Sequence, residues 1–138
     1  MNYKFKMEKV LEYKSTVEKN KVEDYARINQ RLDIESEHLN DLEVQFEAKK
    51  NEKLTDVNGL KMQFLYKEKL KTELMHQKKK VDEIIHKAND ARDILIEARK
   101  DRKIMEMLKE KDREKFNREM LTREQKELDD FSVMRFAK

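Results

Sequence analysis

The histidines are the side chains of this sequence best suited to hold a metal ion or to move a proton. There are three of them, His38, His76 and His86. No two stand three or four residues apart, the spacing that brings two metal ligands onto one face of a helix. If the chain doubles back near its middle, His38 and His76 come within a turn or two of each other on opposite arms, where a surface metal site has room to form. The simpler interpretation is that all three are solvated, and we expect no metal site.

Other kinds of chemistry also lack the residues they need. The 30 acidic residues are spread through the chain, whereas general acid–base catalysis needs a cleft that shifts the pKa of a particular carboxyl group. Ser15, Ser36 and Ser132 lie among charged residues with no base beside them. One glycine cannot build a phosphate-binding loop, and the absence of cysteine excludes thiolate chemistry and disulfides. The sequence therefore predicts no enzyme, no catalytic residue and no cofactor.

The composition is that of long helices. Charged residues make up 46% of the 138 residues, against about 25% in a typical protein. There is one glycine and no proline, so a sheet with several turns is not expected. Low hydrophobicity leaves disorder as the alternative, but disordered chains rarely keep apolar residues in register over ten successive positions, as this one does.

The charge and the apolar content bear on possible partners. The formal net charge is +3, and the basic and acidic residues are closely interspersed, unlike the one-sided charge of many nucleic-acid binders. The two local basic runs, 78–80 and 99–103, are explained most simply as solvated helix faces, so no nucleic acid is expected. No window approaches the ~20 apolar residues of a membrane span. We expect a cytoplasmic protein without direct membrane insertion and without a cleaved signal peptide.

Apolar residues recur at steps of three and four, which is typical of a coiled coil. We use the word seam for the line along which two helices face each other. In the first half the pattern slips by one residue near Lys21, which predicts a local disturbance of the coil. Asn58-Gly59 is the strongest turn signal, since glycine readily adopts the left-handed conformation that closes a helix. From Leu70 to Met105 the second pattern runs without error through Leu74, Gln77, Val81, Ile84, Ala88, Ala91, Leu95, Ala98 and Arg102.

These patterns predict an all-α fold. Two long helices form an antiparallel coiled-coil hairpin with a longer C-terminal helix. Residues 1–138 make one such hairpin, with a helix at about 3–56, a turn at about 57–60 and a helix at about 61–134. At 1.5 Å per residue the helices would measure about 80 and 110 Å, so that residues after about Phe116 extend as a single helix. Exposed apolar side chains on that extension indicate a contact site, for another protein or for a second copy of the chain.

The C-terminal part resembles a known family. The segment EQKELDD at 124–130, followed by Arg135-Phe136, is its most specific feature, and the resemblance extends loosely back to Tyr3. On these residues the chain resembles FliJ, a coiled-coil component of the flagellar type III export apparatus. The residues that carry the likeness in this part are Glu97, Ala98, Arg102, Lys103, Leu108, Lys109, Glu110, Glu124, Gln125, Lys126, Leu128, Asp129, Arg135 and Phe136.

The resemblance implies partners rather than a reaction. Proteins of this family resemble the central stalk of rotary ATPases, bind the hexameric ring of the export ATPase FliI, contact the export gate protein FlhA and escort export chaperones. It also implies a place at the inner face of the cell membrane, held through the export apparatus. Carried onto this sequence, the ring-binding residues would be Met7, Val10, Leu11, Phe116, Met120, Leu128, Phe131 and Phe136. The gate-binding residues would be His38, Leu42, Gln45, Tyr66, Leu70 and Gln77, of which Leu42 and Leu70 fit the coiled-coil seam equally well.

Three alternatives stay open at the level of sequence. One is the equivalent stalk protein of a virulence injectisome, which has the same fold. The second is a nucleic-acid-binding arm that uses the two basic runs, and the third is a homo-oligomeric structural rod. Genomic neighbourhood, salt-dependent nucleic-acid binding and sedimentation, respectively, would separate them from the flagellar hypothesis.

Overall fold

The computed structural model describes residues 2–136. Helix α1 spans Glu8–Lys50, 43 residues, and helix α2 spans Val57–Phe136, 80 residues. Within the described range every regular element is a helix. The all-α fold with two long helices is therefore confirmed, and the second helix is the longer one.

The link between the helices lies earlier than the sequence indicated. It occupies residues 51–56, and Gly59 lies inside the first turn of α2 without a positive φ. The helix starts here because Asp56 acts as its N-cap: its carboxylate accepts a hydrogen bond from the Asn58 amide (3.4 Å), and its carbonyl accepts one from Leu60 (2.9 Å). The predicted turn at 57–60 is therefore wrong, because a capping aspartate outweighs the turn preference of Asn-Gly.

The start of α1 also differs from the prediction, which placed it at about residue 3. The helix begins at Glu8, whose amide donates to the carbonyl of Phe5 at 3.2 Å, and the residues before it form an irregular segment.

At the C-terminus of α1 the carbonyl of Lys49 accepts a hydrogen bond from the side-chain amide of Gln63 (2.6 Å), and the carbonyl of Glu52 in the link accepts one from the same amide (2.8 Å). Helix ends leave carbonyl groups without partners, so Gln63 of α2 caps α1 and fixes where the link begins.

The chain divides into two compact units. We call residues 20–95 the hairpin unit, since it contains the link, and residues 2–19 together with 96–136 the terminal unit. Each unit pairs a segment of α1 with an antiparallel segment of α2. In the hairpin unit Gln77 contacts Glu35, and in the terminal unit Lys109 contacts Glu8.

Each unit has a narrow core at its own seam. In α2 the buried positions follow the predicted steps of three and four, which confirms that part of the seam. The buried apolar residues of the hairpin unit are Leu42, Leu70, Val81, Ile84, Ala88 and Leu95. Those of the terminal unit are Leu11, Ala98 and Met105.

The predicted slip near Lys21 is absent. From Leu11 the less exposed positions of α1 continue at steps of three and four through Lys14, Glu18, Lys21 and Tyr25. Polar residues fill three of these positions, so an apolar pattern alone does not reveal them. Ion pairs across the seam replace apolar contacts there, as between Lys14 and Asp101 (3.7 Å).

Candidate partner-binding surfaces

The predicted ring-binding residues all lie in the terminal unit, but their exposure differs. Leu11 is buried in the seam, and Phe116 and Met120 are half-buried. The others are exposed: Met7, Val10, Leu128, Phe131 and Phe136. The structure therefore separates residues that hold the two helical segments together from residues whose apolar surface is open.

The N-terminal segment covers Phe116. The Tyr3 ring packs against the Phe116 ring with 5.4 Å between centroids, and the Tyr3 hydroxyl donates to Asp112 at 2.9 Å and lies 3.3 Å from the carbonyl oxygen of Lys109. Partial burial and this hydrogen bond to a carboxylate raise the pKa of Tyr3 to about 12. Phe116 was predicted to lie on an unpaired helix. It has a partner, because the segment before α1 reaches back along α2 as far as this ring.

Beyond Met120 the seam stops. Seam spacing continued from Phe116 and Met120 would reach Arg123, Glu127 and Asp130, which are charged and exposed. The apolar residues of this segment lie one position away, in a row formed by Leu121, Leu128 and Phe131. We call residues 121–136 the free segment. Its apolar row is offset from the seam by one residue, or about 100° around the helix, so its apolar surface remains exposed.

The predicted gate-binding residues lie in the hairpin unit and fall into two groups. Leu42, Leu70 and Gln77 are buried in the seam, where a partner cannot reach them without separating the helices. His38, Gln45 and Tyr66 are exposed. The Lys49 ammonium lies 5.1 Å from the centroid of the Tyr66 ring, a cation–π geometry that holds this ring at the end of α1.

A polar cluster ties the two arms of the hairpin unit together. The Gln77 side-chain amide donates to the Glu35 carboxylate (2.7 Å) and to the Glu35 carbonyl (2.9 Å), and Lys80 pairs with the same carboxylate at 3.1 Å. The hydrogen bond from Gln77, followed by the one from Lys80, lowers the pKa of Glu35. Because a shift by one residue would break these contacts, the cluster fixes the register of the seam.

A second polar cluster fixes the register of the seam in the terminal unit. Glu18 accepts a hydrogen bond from Arg102 and pairs with Arg99 at 3.4 Å, while Arg102 also contacts Glu106 at 2.7 Å. Hydrogen bonds to Glu106 and to Glu18 raise the pKa of Arg102. Arg102 was predicted as a seam residue, and it lies there half-buried between two carboxylates.

Neither a metal-ligand cluster nor a membrane-spanning helix is found between residues 2 and 136. No three His, Cys, Asp or Glu side chains of that range come together as a metal site. No helix in the same range combines the length and the apolar character needed to cross a bilayer. The side-chain clusters that join the two helices of the described chain are ion pairs and hydrogen bonds along the seam. Exposed large apolar side chains occur along both helices, and about half of them lie on the free segment or near the link.

Sequence reasoning missed two features of these surfaces. The first is the contact of Tyr3 with Phe116 and Asp112, which joins residues more than a hundred positions apart. The second is the exposed apolar cluster at the start of α2 around Phe64 and Leu65. A signal for it was present, because Met62, Phe64, Leu65 and Tyr66 stand together beside the turn.

Comparison with known proteins gives one match. A family model described as "Flagellar FliJ protein" matches residues 3–138, nearly the whole chain. No curated protein and no solved structure matches the sequence. The match agrees with the resemblance seen in residues 124–136 and favours the flagellar system over an injectisome.

Proposed function

Because the chain belongs to the FliJ family, and is therefore a component of the flagellar type III export apparatus, we propose that it serves there as a non-enzymatic, stalk-like protein that binds the hexameric ring of the export ATPase FliI through its terminal unit. The observation that supports this most is the free segment. It keeps its apolar row exposed on a helix that has no other helix of the described chain beside it.

The size of the open apolar surface fits a protein contact. Full burial of a leucine or phenylalanine side chain is worth about 1.5–3 kcal/mol. Burial of Leu128, Phe131 and Phe136 would therefore supply about 5–9 kcal/mol before the costs of association are subtracted. Met7 and Val10 add exposed apolar surface in the same unit. Leu11, Phe116 and Met120 support the contact indirectly, because they hold the helical segments that carry it.

The test mixes the purified protein with its cognate export ATPase and measures ring formation and the rate of ATP hydrolysis. We expect the wild type to promote both, and the double variant Leu128→Asp/Phe131→Asp to lose that effect. Phe64→Asp/Leu65→Asp is the matched control, since it places the same charges on equally exposed apolar positions of the hairpin unit. Equal stimulation by all three proteins would contradict the proposal. Phe116→Asp is a poorer probe, because it also removes the partner of Tyr3.

We propose further that the hairpin unit contacts the export gate protein FlhA through the exposed part of the predicted set, His38, Gln45 and Tyr66. Replacing all three by alanine should weaken capture of FlhA while leaving the ATPase assay unchanged. Leu42, Leu70 and Gln77 act through the seam. Their variants should reduce capture only as far as they reduce helix content, which circular dichroism measures on the same samples.

Escort of export chaperones completes the proposal. It is supported by the resemblance of the sequence to the family and is tested by competition. A chaperone that binds this protein should be displaced by the export ATPase if the two share the free segment. A ternary complex of the three proteins would place the chaperone elsewhere on the chain.

A further inference from the structure

Positive charge is concentrated around the link. We call residues 49–71 the tip of the hairpin unit. The tip holds seven lysines and three acidic residues, a net charge of +4, whereas the whole chain carries +3. The rest of the chain is therefore net negative by one charge. This concentration is not obvious in the sequence, because the lysines of the tip are not consecutive.

The same tip exposes large apolar side chains. Val57, Leu60, Phe64 and Leu65, together with Lys61, line a shallow groove of about 430 Å³ on the first two turns of α2. Phe64 is 59% exposed and Leu65 is 62% exposed. Met62 and Tyr66 add apolar surface on the other free sides of the helix, so the first turns of α2 present apolar side chains in several directions.

Some of the polar groups that would oppose burial of the tip already have partners. Glu52 is paired with Lys49 at 3.1 Å, and Asp56 caps the start of α2. The carbonyl groups of Lys49 and Glu52 accept from Gln63. These contacts lower the cost of covering this part of the tip, while the charged side chains and the backbone of the link need the hydrated headgroup layer rather than the hydrocarbon core.

We propose that the tip adsorbs to a membrane surface that contains anionic lipid. An amphipathic helix lies in the membrane interface with its apolar face buried about 5–10 Å, and the first turns of α2 offer such a face from Val57 to Leu65. Lys67, Lys69 and Lys71 follow at the next turns, level with the lipid headgroups. Lys61 lies among the apolar residues, and its long stem lets the ammonium group reach the phosphates.

A lipid surface explains the arrangement better than a groove on a protein does. Val57, Leu60, Phe64 and Leu65 form one stripe, as the anchors of a helix in a protein groove do, but Met62, which is equally exposed, lies on another side of the helix. A fluid surface that surrounds the end of the hairpin can accept all of them. The excess of lysine is complementary to anionic headgroups, each lysine near the surface being worth about 1 kcal/mol. This contact goes beyond the proposed protein partners and does not depend on them.

The test uses the full chain and vesicles of two compositions, phosphatidylcholine alone and phosphatidylcholine with about one-third phosphatidylglycerol. The chain has no tryptophan, so Phe64→Trp introduces a single fluorescent reporter. We expect its emission to shift to shorter wavelength with the anionic vesicles, and the protein to sediment with them at low salt. Phe131→Trp is the matched reporter, at 64% exposure on the free segment, and its emission should not shift.

Loss-of-function variants complete the experiment. Phe64→Ser/Leu65→Ser should weaken vesicle binding by about tenfold or more, and Lys53→Glu/Lys61→Glu should remove the preference for anionic lipid. Leu128→Ser/Phe131→Ser should bind as the wild type does. Three results would overturn the proposal: no binding to either vesicle, binding that is equal with and without anionic lipid, or protection of the Phe64→Trp reporter by a soluble protein of the export apparatus but not by vesicles.

Discussion

Gly59 offers the clearest test of the fold, because the sequence and the structure predict opposite effects for the same substitution. If Gly59 closed a helix in the left-handed conformation, Gly59→Ala would destabilise the protein by about 1 kcal/mol or more. In the structure it lies in the first turn of α2 without a positive φ. An added Cβ would lie 3.6 Å from a Leu54 methyl group and 3.8 Å from the Cβ of Asp56, which are ordinary contact distances.

The structure therefore predicts that Gly59→Ala stabilises the hairpin unit. Alanine is favoured over glycine by about 0.8–1.0 kcal/mol inside a helix, and a compatible Gly→Ala change yields about 0.4–1 kcal/mol. We expect a gain in this lower range, because the site is in the first turn. That corresponds to a rise of a few degrees in Tm for a chain of this size.

Urea and thermal unfolding followed by circular dichroism measure the effect. Ala26→Gly calibrates the scale, because Ala26 is an exposed position in α1 of the same unit and the change reverses the chemistry of Gly59→Ala. It should cost about 1 kcal/mol. A loss of stability in Gly59→Ala, with the expected loss in Ala26→Gly, would mean that the chain turns at Asn58-Gly59 and that the link is misplaced.

Three further predictions concern the seam and its polar contacts. Leu70 is 2% exposed, so Leu70→Ala should reduce the free energy of unfolding by about 2–4 kcal/mol, while Leu65→Ala should cost little in the same denaturation experiment. The pKa of Glu35 is lower in the folded chain than its ordinary value of 4.5, so the ionised carboxylate stabilises the fold at neutral pH and this contribution is lost as the pH falls below that value. Glu35→Gln should therefore make the free energy of unfolding depend less on pH on the acid side. The pKa of Tyr3 is raised to about 12 from 10.0, so its stabilisation is lost as the pH rises between these values, and Tyr3→Phe should remove a phenolate absorbance step near pH 12.

The sequence was sufficient for the parts of the fold that depend on apolar spacing. Leu70, Val81 and Leu95 lie in the core where their steps of three and four placed them. The spacing also predicted the exposed apolar row of the free segment, because apolar residues that are too far apart to form a core mark the place where the core ends. These features are local, and each follows from the helical period and the polarity of single residues.

Features that depend on polar contacts or on distant residues could not be obtained in that way. Glu18 and Lys21 are charged, so an apolar pattern does not mark them as seam residues, and the spacing of the apolar residues around them was interpreted as a slip. The position of the link depended on a competition between an Asp56 cap and an Asn-Gly turn, and single-residue preferences do not rank the two. The contact between Tyr3 and Phe116 exists only once both helices have their lengths and their register.

The distribution of apolar side chains connects the fold to its proposed partners. Among the described residues, nine apolar residues are buried, and 25 large ones are exposed. Two of the buried nine are alanines, so the core of the isolated chain is small, and the register depends on the clusters around Glu35 and Glu18. A partner that binds only the folded chain stabilises it against unfolding, and this gain grows as the concentration of the partner rises above its Kd. Binding of partners at the free segment and at the tip would therefore add to the stability that the seam provides. Twelve of the 25 exposed apolar residues lie on these two surfaces, where the proposed partners would cover them.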